Sequence, residues 1–199
     1  MDQRSFSGEV SVEDGIWWLT NGRGFPPPVT GWENGLIAGQ RNSALIAAGI
    51  NTGRVHVTVD VVSARPGSVD IEPWDDVVET SLTDLDDVIV LPAPESNYTK
   101  TLTIDSPGPH RIRVYVRGRD TQPDGVSNEP VEEYRLELWP EAVAPDRVYK
   151  QTDHLGSTLR ASSNPESVPP PAITPQPSTR TLKPEEVDAY FKKRLHPDR

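Results

Sequence analysis

Eight carboxylates crowd the stretch from Asp70 to Asp87, namely Asp70, Glu72, Asp75, Asp76, Glu79, Asp84, Asp86 and Asp87. Trp74 stands among them, and no basic residue occurs between Pro66 and Tyr98. A calcium loop wants carboxylates at alternate positions, then a glycine and a later glutamate. Asp84-Leu85-Asp86-Asp87 lacks both of the last two. A glycosidase pair can be distant in sequence, but nothing singles out two of these groups for general acid and base work. Two readings fit better. The cluster is a solvated acidic loop, or it is a recognition surface in which Asp75, Asp76, Glu79, Asp86 and Asp87 meet a basic partner and speed its association by long-range attraction.

The remaining chemistry-bearing residues are dispersed. His56, His110, His154 and His196 share no local metal-ligand spacing, so each is expected to be a solvent-exposed structural residue, and no metal or cofactor is expected. Arg111, Arg113, Arg117 and Arg119 form a basic stripe on what reads as an exposed strand and its following turn. Glu133, Arg135 and Glu137 stand ready to pair with it from a neighbouring strand. Gly22-Arg23-Gly24 is too short to cradle a phosphate, and no nucleophile elbow or dinucleotide fingerprint occurs. Of the tryptophans, Trp139 and one of Trp17 or Trp18 belong to the core by alternation. Trp32 and Trp74 fall in loops, where exposed aromatics bind partners or stack on sugars.

Charge narrows the choice of partner. The chain carries −10, and residues 1–144 hold 11 basic and 23 acidic side chains, so the front of the molecule opposes phosphate backbones and anionic membranes. A basic protein is the partner that fits, and direct nucleic-acid binding does not. There is no cysteine, no charged leader followed by an apolar run and no stretch approaching a bilayer span, which reads as a cytoplasmic protein.

These residues must be positioned by strands. Val55, Val57, Val59 and Val61 alternate with polar residues; so do Ile112, Val114 and Val116, and a third run spans Tyr134 to Trp139, closed by Pro140. Further strands are predicted at 9–12, 16–20, 44–48, 88–91 and 99–104. About eight strands, half-polar and without room for crossover helices, predict an all-β antiparallel sandwich. The stretches 21–28 and 63–87 read as irregular, and 149–160 reads as a last strand pair turning at Gly156. With 21 prolines and 34% apolar residues, part of the chain is expected to be unfolded. The domains read as an acidic sandwich over 1–161, a disordered Pro/Ser-rich linker over 162–180 and a short amphipathic helix over 181–199. Val187, Tyr190, Phe191 and Leu195 line one face of that helix, for docking on the domain or on another protein.

The layout of these segments resembles a known family. Ile16-Trp17-Trp18-Leu19, the Pro-rich loop leading to Gly31-Trp32-Glu33-Asn34-Gly35-Leu36-Ile37, Ala48-Gly49-Ile50-Asn51-Thr52-Gly53 before the valine strand, and Glu133-Tyr134-Arg135-Leu136-Glu137-Leu138-Trp139 together resemble the competence protein J family over about residues 6–140. Members are β-sandwich inhibitors of a DNA-entry nuclease, so the resemblance implies a binding protein that blocks a nuclease. The function expected is therefore non-enzymatic binding of a basic protein through an acidic surface. The alternative is a carbohydrate-binding sandwich using Trp32 and Trp74, and the third reading is an enzyme with an unrecognised site.

Overall fold

Four valines spaced by two build the centre of the molecule. In a computed structural model, which describes residues 3–94 and 99–163, they lie on β5 (Thr52–Val61) and face inward with Val10 and Val12 of β1 (Ser5–Val12). Tyr134, Leu136 and Leu138 of β11 (Glu133–Pro140) and Ile112, Val114 and Val116 of β9 (Gly108–Arg117) continue this layer. Each such side chain fully withdrawn from water contributes about 1.5–3 kcal/mol, which makes this layer the main apolar support of the fold. The larger sheet runs β1-β5-β11-β9-β6-β12, with β6 at Asp76–Leu85, β12 at Arg147–Gln151 and the two-residue β10 (Val126–Ser127) beside β5.

A second sheet closes over that layer. Its order is β3-β4-β2-β7-β8, with β2 at Ile16–Thr20, β3 at Ile37–Gly39, β4 at Ser43–Ala47, β7 at Val88–Pro92 and β8 at Thr99–Thr103. Trp17, Leu19, Ile46, Ile89, Leu91 and Leu102 face the first sheet, and Trp17 meets Tyr134 edge-on at 5.3 Å between ring centroids. The all-β sandwich expected from alternation is the fold observed. Two strand pairs depart from the antiparallel rule, because β10 and β11 both run parallel to β5.

The acidic stretch 63–87 is not one irregular loop. From Asp76 to Leu85 it is β6, a strand central enough to pair with both β9 and β12. Valine and threonine supply the propensity, and the carboxylates that made it look solvated are neutralised on burial. The segment 149–160 also differs from expectation, since β12 is followed by the helix α1 (His154–Ser163) instead of a hairpin at Gly156. The helix starts because Asp153 Oδ1 accepts the Gly156 N–H at 2.7 Å, while Asp120 accepts the N–H groups of His154 and Leu155. Gly156 is required there: a Cβ would stand 2.6–2.9 Å from Asp153, Asp76 and Arg119. The linker from residue 164 onward and the tail-helix residues Val187, Tyr190, Phe191 and Leu195 lie outside the described residues.

Candidate interaction surface

β6 alternates, so its two predicted partner-binding carboxylates leave on opposite faces, and both are buried. Glu79 points to the outer face of the large sheet. There it accepts hydrogen bonds from Arg111 Nε and Nη2 at 3.0 and 2.9 Å, from Arg113 at 3.1 Å, from Arg65 at 3.0 Å and from the Tyr149 hydroxyl at 3.0 Å. Burial alone would raise its pKa, yet the hydrogen bonds from Arg65, Arg111 and Tyr149 overcome this and bring it down to about 2. Arg113 also reaches Glu137 at 3.1 Å and lies over the Trp139 ring at 5.1 Å from its centroid.

The basic stripe thus pairs across strands as expected, but Arg111, Arg113 and Arg119 are buried and not exposed. Residues before β6 and between β11 and β12 fold over the sheet. Arg65 pairs with Glu79 and Glu141, Arg111 donates to the carbonyls of Ala144 and Pro145, and Val69, Ile71 and Tyr149 pack on Trp74, Val77 and Tyr115. Trp139 is buried as expected, yet it sits in this outer layer and not between the sheets. Tyr115, hydrogen-bonded to Glu137 and enclosed here, has its pKa pushed up to about 12, chiefly by burial.

Asp76 faces the other way, into a hub beneath α1. Arg119 bridges Asp153 at 2.5 Å and Asp76 at 3.2 Å and donates to the carbonyl oxygen of Gly35 at 3.0 Å. Burial first, and the Asp153 charge second, push the pKa of Asp76 up. Nearby Glu132 is also buried, with its oxygens accepting from the N–H groups of Gly49 and Ile50 and from the Tyr134 hydroxyl. Every oxygen of these carboxylates is committed to a structural donor, so they hold loops and helix in place and offer nothing to a partner.

The five predicted carboxylates are therefore not one surface. Asp86 pairs with Arg23 at 3.1 Å and accepts from Asn21 at 2.6 Å, and Asp87 is exposed at that same end of the sandwich. Asp75 is half-buried at the opposite end, where it accepts the Gly118 N–H at 2.8 Å. Trp74 is buried against Tyr115 beneath Arg117, and Trp32 is half-buried with its backbone N–H donating to Ser163 Oγ. Of the histidines, His154 is exposed and His56 half-buried, and His196 lies outside the described residues. His110 contradicts the expectation of exposure. It faces the interior in register with Ile112, its Nδ1 lies 3.1 Å from the Gly108 carbonyl oxygen, and burial lowers its pKa.

The two ends of the sandwich differ in how they treat their exposed charge. At the end where β1 stops and β2 starts in the other sheet, Glu13 and Asp14 occupy the turn. Asp124 and Glu129 occupy the β9–β11 connection. The hydrogen bonds Gly15 N–H to Asn51, Asn51 N–H to Gly125 and Asp124 N–H to Gly49, each 2.8 Å, tie these loops side by side. None of the four carboxylates forms an ion pair among the described residues, and all are exposed. A cleft of about 450 Å³ opens at this end between Pro73, Asp75, Arg117, Pro130 and Glu133. At the far end Asp84, Asp86 and Asp105 are matched by Arg41, Arg23 and Arg4 respectively, while the exposed Asp87 forms no ion pair among the described residues. Glu13, Asp14, Asp124 and Glu129 were not singled out in the sequence. The usable signal was the pair of Asp-Gly dipeptides, Asp14-Gly15 and Asp124-Gly125, which mark exposed turns.

No protein-family model matches the chain, and no curated protein matches it. Among solved structures, the chain is similar to ComJ from Bacillus subtilis, an inhibitor of the DNA-degrading activity of NucA. The TM-score is 0.49 at 13% identity, over 71% of this chain and 99% of that one. It is also similar to the crocagin biosynthetic gene J protein, with a TM-score of 0.44 and 14% identity over 71% of this chain and 100% of that one. The first of these is a competence protein J, the family that the strand layout resembles.

Proposed function

We propose that this protein is a non-enzymatic binding protein that engages a basic protein through the loop end bearing Glu13, Asp14, Asp124 and Glu129. One observation carries the reading: these four exposed carboxylates form no ion pair among the described residues, whereas at the far end Asp84, Asp86 and Asp105 are matched by arginines and only Asp87 of that group is not. Unmatched surface charge of one sign costs self-repulsion and is relieved by a partner of the opposite sign. A nuclease fits, because a surface that grips phosphates is basic, and nuclease inhibition is the activity to assay first. The absence of cysteine accords with a reducing, cytoplasmic setting. No helix among the described residues is long and apolar enough to cross a membrane.

The carbohydrate reading finds less support, since Trp74 is buried and Trp32 is half-buried. The test is a titration of a basic nuclease with wild type and with a Glu13→Gln, Asp14→Asn, Asp124→Asn, Glu129→Gln variant. Asparagine suits the two aspartates, which sit at φ of 52° and 55°. The variant is expected to inhibit less and to associate about tenfold more slowly at low salt. Equal behaviour of the two proteins would overturn the assignment of the surface.

A further inference from the structure

The connection from β2 to β3 is set off from the rest of the chain by composition. From Gly24 to Trp32 it reads Gly-Phe-Pro-Pro-Pro-Val-Thr-Gly-Trp, without a charge in a chain of which 25% is charged. Phe25 is 82% exposed, and Pro27 and Pro28 are exposed with it, while Pro26 and Val29 are half-buried. One exposed apolar residue is ordinary, but a phenylalanine beside exposed prolines is a contiguous apolar ridge that the protein's own core does not use. The ridge is also stiff. Proline fixes its own φ and pushes the residue before it to extended geometry, so Phe25, Pro26 and Pro27, each followed by a proline, are confined to the polyproline region. Arg23 pairs with Asp86 at 3.1 Å and the Pro27 carbonyl oxygen accepts from Gln40 Nε2 at 2.8 Å, which pins the segment at both ends. Phe25 rests edge-on against Trp18 at 5.4 Å between ring centroids.

We infer that Phe25-Pro26-Pro27-Pro28 is a ligand segment that docks in a groove of a partner protein lined with tryptophan and tyrosine. The chemistry of the segment selects that occupant. With no N–H at three consecutive positions it cannot add as a strand to a sheet edge, and it has no charge with which to form an ion pair. What it offers is ring surface and carbonyl oxygens, of which those of Phe25, Pro26 and Pro28 accept no hydrogen bond among the described residues. Tryptophan and tyrosine supply both complements, an apolar ring face and an N–H or O–H donor at its edge. Because the segment is held extended before it meets a partner, little conformational freedom is lost on docking. β2 runs from Ile16, beside the Glu13–Asp14 turn, to Thr20, so the segment lies at the other end of the sandwich and its contact leaves the acidic end free.

The test is a titration of isotopically labelled WW and SH3 domains, whose proline-binding grooves are built from these aromatics, with the full chain, followed by NMR. A second run, Val168-Pro169-Pro170-Pro171, lies outside the described residues, so every titration uses the chain carrying Pro169→Ala, Pro170→Ala and Pro171→Ala. That chain is expected to shift the groove resonances of at least one probe with a dissociation constant of about 10–100 µM, as suits a small contact. Adding Phe25→Ala, or Pro26→Ala with Pro27→Ala and Pro28→Ala, is expected to weaken binding about tenfold or more without altering the thermal melt, since the segment is outside the core. Val126→Ala, at another exposed apolar position on β10, is expected to bind unchanged. Probes that ignore the chain, binding indifferent to the substitutions at 25–28, or binding that Val126→Ala weakens equally would overturn the inference.

Discussion

Replacing Glu79 by glutamine keeps its shape and removes the charge on which three arginines converge. In the folded protein its pKa is about 2, against an ordinary 4.5. The difference corresponds to about 3 kcal/mol of stabilisation by the ionised form. Because the folded pKa is depressed, that contribution is complete above pH 4.5 and is lost as pH falls from 4.5 towards 2. The substitution also leaves Arg111 and Arg113 buried without their shared counter-charge, the situation in which breaking one partner costs about 3–5 kcal/mol. At pH 7, Glu79→Gln is therefore expected to lower the unfolding free energy by about 3–5 kcal/mol, or Tm by about 10 °C in a domain of this size. Urea unfolding followed by tryptophan fluorescence reads this directly, since Trp139 and Trp74 lie in the same outer layer. Repeated at pH 7, 4.5 and 3, it should show the gap between wild type and variant narrowing below pH 4.5. A gap under about 1 kcal/mol at pH 7, the size typical of exposed pairs, or one that stays constant with pH, would refute the claim that buried arginines hold this carboxylate ionised.

Two further predictions concern the interior. His110 has a lowered pKa because it is buried, so the folded state binds its proton less readily than the unfolded chain. Wild type should lose stability as pH falls below about 6.5, and His110→Leu should reduce that slope, as thermal melts between pH 7.5 and 5 would show. Gly156→Ala gains about 1 kcal/mol in helix propensity but places a methyl group where Asp76, Asp153 and Arg119 already meet. Hydrogen exchange across 154–163 should quicken in this variant, and unchanged protection would mean that α1 is not clamped as described.

The strands that were readable from the sequence are those in which a hydrophobic face of period two meets one sheet of the core, as in β5, β9 and β11. β6 was obscured because Asp76 and Glu79 read as solvent-facing, and nothing local reveals that Arg119, or Arg65, Arg111 and Arg113, will neutralise them from distant parts of the chain. The same non-local pairing reversed the expectation for the arginine stripe and put Trp139 in an outer layer. α1 was missed because it is short and its anchor is polar: it is held by Asp153, Asp120 and the Arg119 hub, and Gly156 is its only buried residue. The predicted binding surface failed as a unit for a topological reason. Asp75 lies at one end of β6 and Asp86 and Asp87 beyond the other, with Asp76 and Glu79 buried on the strand between them.

Hydrogen exchange on the full chain, with and without a basic nuclease, tests the proposed acidic end most directly. Protection on binding should appear at the turn 13–15 and along 120–130, and should fade as salt rises. Protection confined to the Asp84–Asp87 end, or a complex indifferent to ionic strength, would contradict the account.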